Sequence, residues 1–182
     1  MKKLTQSYYC GASDSQIIYE TIGNYFDGTC AANPEVEALV VRHQNVRWSY
    51  QQLQEQVNSL ATGLLALGVQ VGDRVGIWGP NSAEWVMVQL ATAKIGAIMV
   101  CINPAYRTYE LEYALNKVEC DTIITAEQFK SSDYLGMLQT ARSRIGRLRA
   151  LCASIQDAAA SKTGHSPGQG EEPGYAELRR CM

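Results

Sequence analysis

Apolar residues recur along this chain in two rhythms, one of three and four residues and one of short unbroken runs. From Gln16 to Cys30 the residues Ile18, Ile22, Tyr25 and Phe26 keep helical spacing, which predicts a first helix with one face against the domain. Ala38-Leu39-Val40-Val41, the turn-forming His43-Gln44-Asn45 and Val46-Arg47-Trp48 predict two short strands in a hairpin. Ser49 and Gln52 stand at capping-box spacing, so hydroxyl and amide can each satisfy an orphan backbone donor where a helix opens. Leu53, Val57, Leu60, Leu64 and Leu67 give that helix a buried stripe. Gly68 closes it, and Gly72-Asp73 turns the chain into a strand over Arg74 to Trp78.

The same cycle then repeats. Gly79-Pro80 breaks the chain, Asn81 with Glu84 predicts a second capping box, and the helix it opens runs through Lys94 to Gly96. A strand over Ala97 to Ile102 stops at Asn103-Pro104. A helix from Thr108 through Lys117 carries Leu111, Ala114, Leu115 and Val118, and a third strand covers Asp121 to Thr125. Short, continuously apolar strands alternating with helices predict an α/β fold with an open, mainly parallel sheet flanked by helices, preceded by the short β-hairpin. Where the strand order reverses is not written in the pattern.

Beyond Ala141 the texture changes. Arg142, Arg144, Arg147 and Arg149 crowd together, and Ala, Ser, Gly and Pro dominate from Ser161 to Gly174. No core strand is expected there. Ile145, Leu148, Leu151 and Ile155 predict a helix over Arg142 to Gln156, and Lys162 to Gly174 reads as flexible coil, so a loose C-terminal tail follows residue 160.

Composition narrows the function classes. With 182 residues, 46% apolar and 19% charged, the chain has the makeup of one globular domain. A formal net charge of −2 supplies no general attraction for nucleic acid or anionic lipid, and neither partner is expected. Met1-Lys2-Lys3 is basic, but Thr5, Gln6 and Ser7 follow where a secretory signal needs an apolar run. The most apolar stretch, Val86 to Ile102, contains Gln89 and Lys94 and falls short of the roughly 20 residues that cross a bilayer, so no membrane span is expected. Cys10, Cys30, Cys101, Cys120, Cys152 and Cys181 are scattered, without Cys-x-x-Cys or a neighbouring His, and read as reduced structural thiols of a cytoplasmic protein.

The stretch from Gly68-Val69-Gln70-Val71-Gly72-Asp73-Arg74 through Trp78-Gly79-Pro80-Asn81-Ser82-Ala83-Glu84-Trp85 resembles the early region of the adenylate-forming ligase superfamily. The resemblance continues through Leu90 to Ile98, and Val100-Cys101-Ile102-Asn103-Pro104-Ala105-Tyr106-Arg107 with Glu110 to Leu115 is similar to the AMP-forming fatty acyl-CoA synthetase branch. Trp48-Ser49-Tyr50-Gln51-Gln52-Leu53 resembles the opening of the family's capped helix, and the likeness spans about residues 8 to 140. It implies a two-step reaction in which a fatty acid attacks ATP to give acyl-adenylate and pyrophosphate, and coenzyme A then takes the acyl group; magnesium accompanies the nucleotide. Adenylation supplies the leaving group that a free carboxylate lacks.

Residues 1–140 are thus expected to be the N-terminal part of the large adenylate-forming domain, and 141–182 a divergent tail, possible product of a shifted reading frame. The family's phosphate-gripping loop, rich in Ser, Thr and Gly and ending in Pro-Lys-Gly, has no counterpart. Ala160-Ser161-Lys162-Thr163-Gly164 offers a Lys and hydroxyls without a glycine run. The Tyr-Gly-x-Thr-Glu segment, the ribose-holding acidic residue and the carboxy-terminal lysine of adenylation have none either. The expectation is an N-terminal fragment that binds no cofactor and is inactive alone, with no catalytic, cofactor-binding or metal-ligating residue assigned. The alternative is one half of a split ligase, a binding module for a complementary C-terminal chain. A stand-alone nucleotide binder lacks the Gly-x-Gly-x-x-Gly turn it needs.

His43, in a hairpin turn, and His165, in the tail, have no expected Ser or Asp partner. Trp48, Trp78 and Trp85 read as core or boundary residues rather than adenine platforms. Two loops keep a functional reading beside a structural one: Gly79-Pro80-Asn81-Ser82, after a parallel strand and before a helix, where α/β folds collect anions, and Asn103-Pro104-Ala105-Tyr106-Arg107 at the same end of the next strand.

Overall fold

The computed structural model describes residues 17–141, 143–145, 148–152 and 179–180. Helix α1 (Ile22–Ala32) starts later than its apolar spacing predicts, because Thr21 caps it by accepting a hydrogen bond from the Asn24 N–H at 3.2 Å. Its inward face is Gly23, Phe26 and Cys30, while Ile18, Ile22 and Tyr25 are exposed. Gly23 suits this close approach: a Cβ there would stand 3.1 Å from the Lys94 Cα, tight enough to push the two helices apart by a few tenths of an ångström.

Strands β1 (Glu37–Val41) and β2 (Val46–Ser49) form the expected antiparallel hairpin, joined by a 3-10 turn over Arg42–Gln44 and by Asn45 in the left-handed region. Helix α2 (Tyr50–Ala66) opens on the full Ser49–Gln52 capping box and buries Leu53, Val57, Leu60 and Leu64. Strand β3 (Arg74–Trp78) follows, then α3 (Ala83–Ile95), closed by Gly96 at φ 73°. Next come β4 (Ile98–Ile102), α4 (Thr108–Lys117) and β5 (Thr122–Thr125). A two-stranded ribbon, β6 (Gln128–Phe129) with β7 (Ser132–Asp133), leads into α5 (Tyr134–Ala141).

After α5 the chain departs from the expected helix over 142–156. Residues Arg149–Cys152 form a strand, β8, parallel to β5, and Arg179–Arg180 add a short antiparallel strand, β9. The open edge of β5 decides the matter: the Arg149 N–H donates to the Asp121 carbonyl at 2.9 Å, and the Arg149 guanidinium reaches the Leu67 carbonyl at the end of α2 at 2.6 Å. Ile145, Ala150 and Leu151 are buried, so this stretch completes the core. The predicted coil over 162–174 lies outside the described residues.

The five-stranded sheet runs β4-β3-β5-β8-β9. From β3 the chain steps outward to β4, then passes back over β3 to lay down β5 on its other side, all in parallel. That return is the reversal the sequence left open. It puts α1, α2 and α3 on one face and α4 and α5 on the other, each over its own apolar cluster. Successive residues of β5 serve opposite faces, with Ile124 under α2 and α3 and Ile123 under α4. Among the described residues no helix is long and apolar enough to cross a membrane.

Candidate functional site

In an open parallel sheet the ligand crevice forms at the carboxyl ends of the strands where the order reverses, which here is between β3 and β5. Both loops singled out from the sequence lie along this rim. Trp78, the last residue of β3, is fully buried and donates its indole N–H to the Asn103 carbonyl at 3.1 Å. Its ring stacks on Tyr134 with centroids 3.9 Å apart and planes at 24°. The Tyr134 hydroxyl in turn donates to the Pro104 carbonyl at 2.7 Å, and burial raises the phenol's pKa. Thr125, at the end of β5, donates its hydroxyl to the Trp78 carbonyl at 3.0 Å.

Several further polar groups of the rim are also turned to one another. Trp85 donates its indole N–H to the Gly79 carbonyl at 3.2 Å. The Asn103 side-chain oxygen accepts from the Ala105 N–H at 2.9 Å. Arg107 donates to the Ser132 hydroxyl at 2.7 Å, and its own N–H is capped by the Glu110 carboxylate at 3.1 Å. Trp78 is fully buried and Trp85 is half-buried against the core, and both tie the rim's backbone through their indole N–H groups. Trp48 packs against the core beneath α2, and His43 sits in the 3-10 turn.

The amino end of α3 tests the anion reading directly. The Asn81–Glu84 capping box does not form, and Ser82, the N-cap, makes no side-chain cap bond. Instead Gln44, reaching over from the hairpin turn, accepts the Ala83 N–H at 2.7 Å and donates its amide N–H to Glu84 at 2.8 Å. The first N–H of the helix is thus taken by a neutral amide, with a carboxylate in the first turn, and that carboxylate would repel a phosphate. Among the described residues no group of three His, Cys, Asp or Glu side chains could hold a metal ion. At the amino end of α3 the described residues present a carboxylate and a spent Ala83 N–H where a phosphate needs donors. The Ala160 to Gly164 stretch and His165 lie outside them.

Gln44, Thr125 and Tyr134 are the rim residues that sequence reasoning missed. Gln44 works across 39 positions and Thr125 across 47, and no periodicity carries a signal over such spans. A second polar cluster lies away from the rim. Lys94 donates to both Asp27 oxygens at 2.6 and 2.8 Å and to Asn58 at 2.6 Å, and Gln54 donates to Asp27 at 2.6 Å. Burial alone would raise the Asp27 pKa, but the hydrogen bonds from Lys94 and Gln54 and the lysine's charge outweigh it and hold the carboxyl below its ordinary value. Burial pushes the Cys120 thiol up to about 11, against hydrogen bonding to backbone, which marks it as an inert core residue.

This architecture is that of known ligases. A profile described as AMP-binding enzyme matches residues 26–175. The chain is 47% identical over 133 residues to the medium-chain acyl-CoA ligase ACSF2, mitochondrial, of Mus musculus, covering 73% of this chain and 22% of that protein. It is 41% identical over 136 residues to the protein of the same name from Danio rerio, covering 75% and 22%. A solved fatty acyl CoA synthetase of Mycobacterium tuberculosis superposes with a TM-score of 0.67 at 23% identity, over 87% of this chain and 30% of that one, which is a likeness of fold. The chain spans about a fifth of the length of the curated relatives it matches, 22% in each case. With its parallel sheet and the rim at its reversal, this chain belongs to the AMP-binding enzyme family as an acyl-CoA ligase-like N-terminal region.

Proposed function

We propose that this chain is the scaffold part of an AMP-forming fatty acyl-CoA ligase, an enzyme that joins a fatty acid to coenzyme A through an acyl-adenylate at the expense of ATP. The observation that carries the reading is the 47% identity over 133 residues to a mouse acyl-CoA ligase, combined with a rim in which Trp78 and Tyr134 bond backbone carbonyls of the next loop. A medium-chain fatty acid is the substrate class we favour, from the printed name of that relative. The full enzyme would use ATP, magnesium and coenzyme A. We take the described residues to contribute position rather than chemistry: at the amino end of α3 Gln44 takes the Ala83 N–H, and at that of α5 the Asp133 carboxylate takes the Gly136 N–H.

The reading further holds that these 182 residues do not adenylate a fatty acid unaided, because no Pro-Lys-Gly loop stands anywhere in the sequence. We also propose that the reading frame has shifted somewhere within residues 141–182, although the family profile still matches as far as residue 175; translating the downstream DNA in the other frames should reveal the phosphate loop, and its absence there removes this part. Free thiols at Cys30, Cys101 and Cys120 support a reducing compartment, which we take to be the cytoplasm; the mouse relative is mitochondrial by name, and imaging of a tagged chain decides between them.

Isotope exchange between pyrophosphate and ATP tests the central reading. The purified chain should show none with any fatty acid. A chimera in which residues 8–140 replace the matching stretch of the mouse ligase should recover exchange with a medium-chain acid. Exchange by the chain alone overturns the incompleteness, and a folded but inactive chimera overturns the ligase assignment.

A further inference from the structure

The two edges of the five-stranded sheet are unlike. One is β9, Arg179–Arg180, only two residues long, and a short edge resists further pairing. The other is β4, whose sequence Ile98-Met99-Val100-Cys101-Ile102 carries no charge and no proline. Such a run belongs to the interior of a parallel sheet, where both faces are covered. Yet Ile98 is 52% exposed, Cys101 is exposed, and Val71, against Gly96 just before the strand, is 81% exposed.

The backbone says which groups are waiting. The Ile98 N–H donates to the Asp73 carbonyl at 2.8 Å, so Ile98, Val100 and Ile102 turn their peptide groups to β3. By alternation the peptide groups of Met99 and Cys101 face the open side, where no described strand pairs with β4. We infer that the β4 edge is a seam for an apolar β-strand supplied by the remaining part of the ligase domain. The inference rests on the scaffold reading above. It is favoured over pairing with a second copy because the relatives are more than four times as long as the stretch they share with this chain, 22% of each, and so have a strand to supply.

The test is co-expression of the 182-residue chain with the rest of the mouse ligase, from the end of the shared stretch onward, followed by a pulse of iodoacetamide read at Cys101 by peptide mass spectrometry. In the chain alone Cys101 should label freely, and in the co-purified complex about tenfold more slowly, since thiol reactivity follows access. Cys101→Lys puts a charge on the edge and should cut co-purification about tenfold while the chain's own melting temperature is unchanged; Cys101→Val should assemble like the native chain. A complex in which Cys101 labels at the free-chain rate, or one that Cys101→Lys forms as well as the native chain, overturns the seam. So does protection of Cys101 in the chain alone at dimeric mass, which would give the edge to a second copy. If no complex forms and the chimera is also inactive, the scaffold reading itself has failed; an active chimera whose separate halves never assemble overturns the seam alone.

Discussion

Asp27 and Lys94 fasten the first helix to the third, and they do so with a carboxylate that the protein keeps ionised. The folded-state pKa of Asp27 lies below that of an unfolded chain, so the pair's stabilisation is complete above the ordinary carboxylate value of about 4 and is lost as pH falls through the lower folded value. Asp27→Asn should therefore lower the melting temperature at neutral pH, by the equivalent of about 1 kcal/mol once solvent screening at this partly exposed site is counted. The gap from the native protein should close in acid, and thermal melts from pH 7 down to pH 2.5 follow it. A gap that stays constant with pH would make the residue's role one of packing. The pair lies 67 positions apart in sequence, and nothing about either residue announces the other.

At the scale of elements, capping shows what was legible and what was not. Ser49 and Gln52 lie within one turn, so their reciprocal bonds could be read off directly. Asn81 and Glu84 have the same spacing and form no box, because Gln44 from the hairpin turn takes the Ala83 N–H and Glu84 together. Local chemistry proposed one cap and tertiary structure supplied a better one. Gln44→Ala should cost about 1 kcal/mol in urea unfolding, the usual worth of a helix cap, whereas Asn81→Ala at its exposed site should stay within about 0.5 kcal/mol of the native chain. Equal effects at the two positions would contradict this assignment. Strand β8 was missed for a related reason. Ile145, Leu148, Leu151 and Ile155 are spaced like a helix face, and only the free edge of β5 selects the extended form.

For the whole molecule, the alternation of strand and helix was visible in the apolar runs, and with it the α/β class. The sheet order was not, because the return over β3 depends on contacts between segments that no pattern links. That return leaves one sheet shared by two cores, and β5 is common to both. Ile123→Ala and Ile124→Ala should each cost about 2 to 4 kcal/mol, and each should shift one unfolding transition seen identically by far-ultraviolet circular dichroism and tryptophan fluorescence. Two separated transitions would show that the faces melt independently.

The ring pair at the end of β3 reaches beyond its own packing. Trp78 and Tyr134 each hold one of two consecutive carbonyls, those of Asn103 and Pro104, so the loop after β4 is fixed from two directions. A loop frozen in this way has surrendered its conformational entropy during folding, and whatever comes to rest on it later meets a finished surface instead of one that must first be ordered.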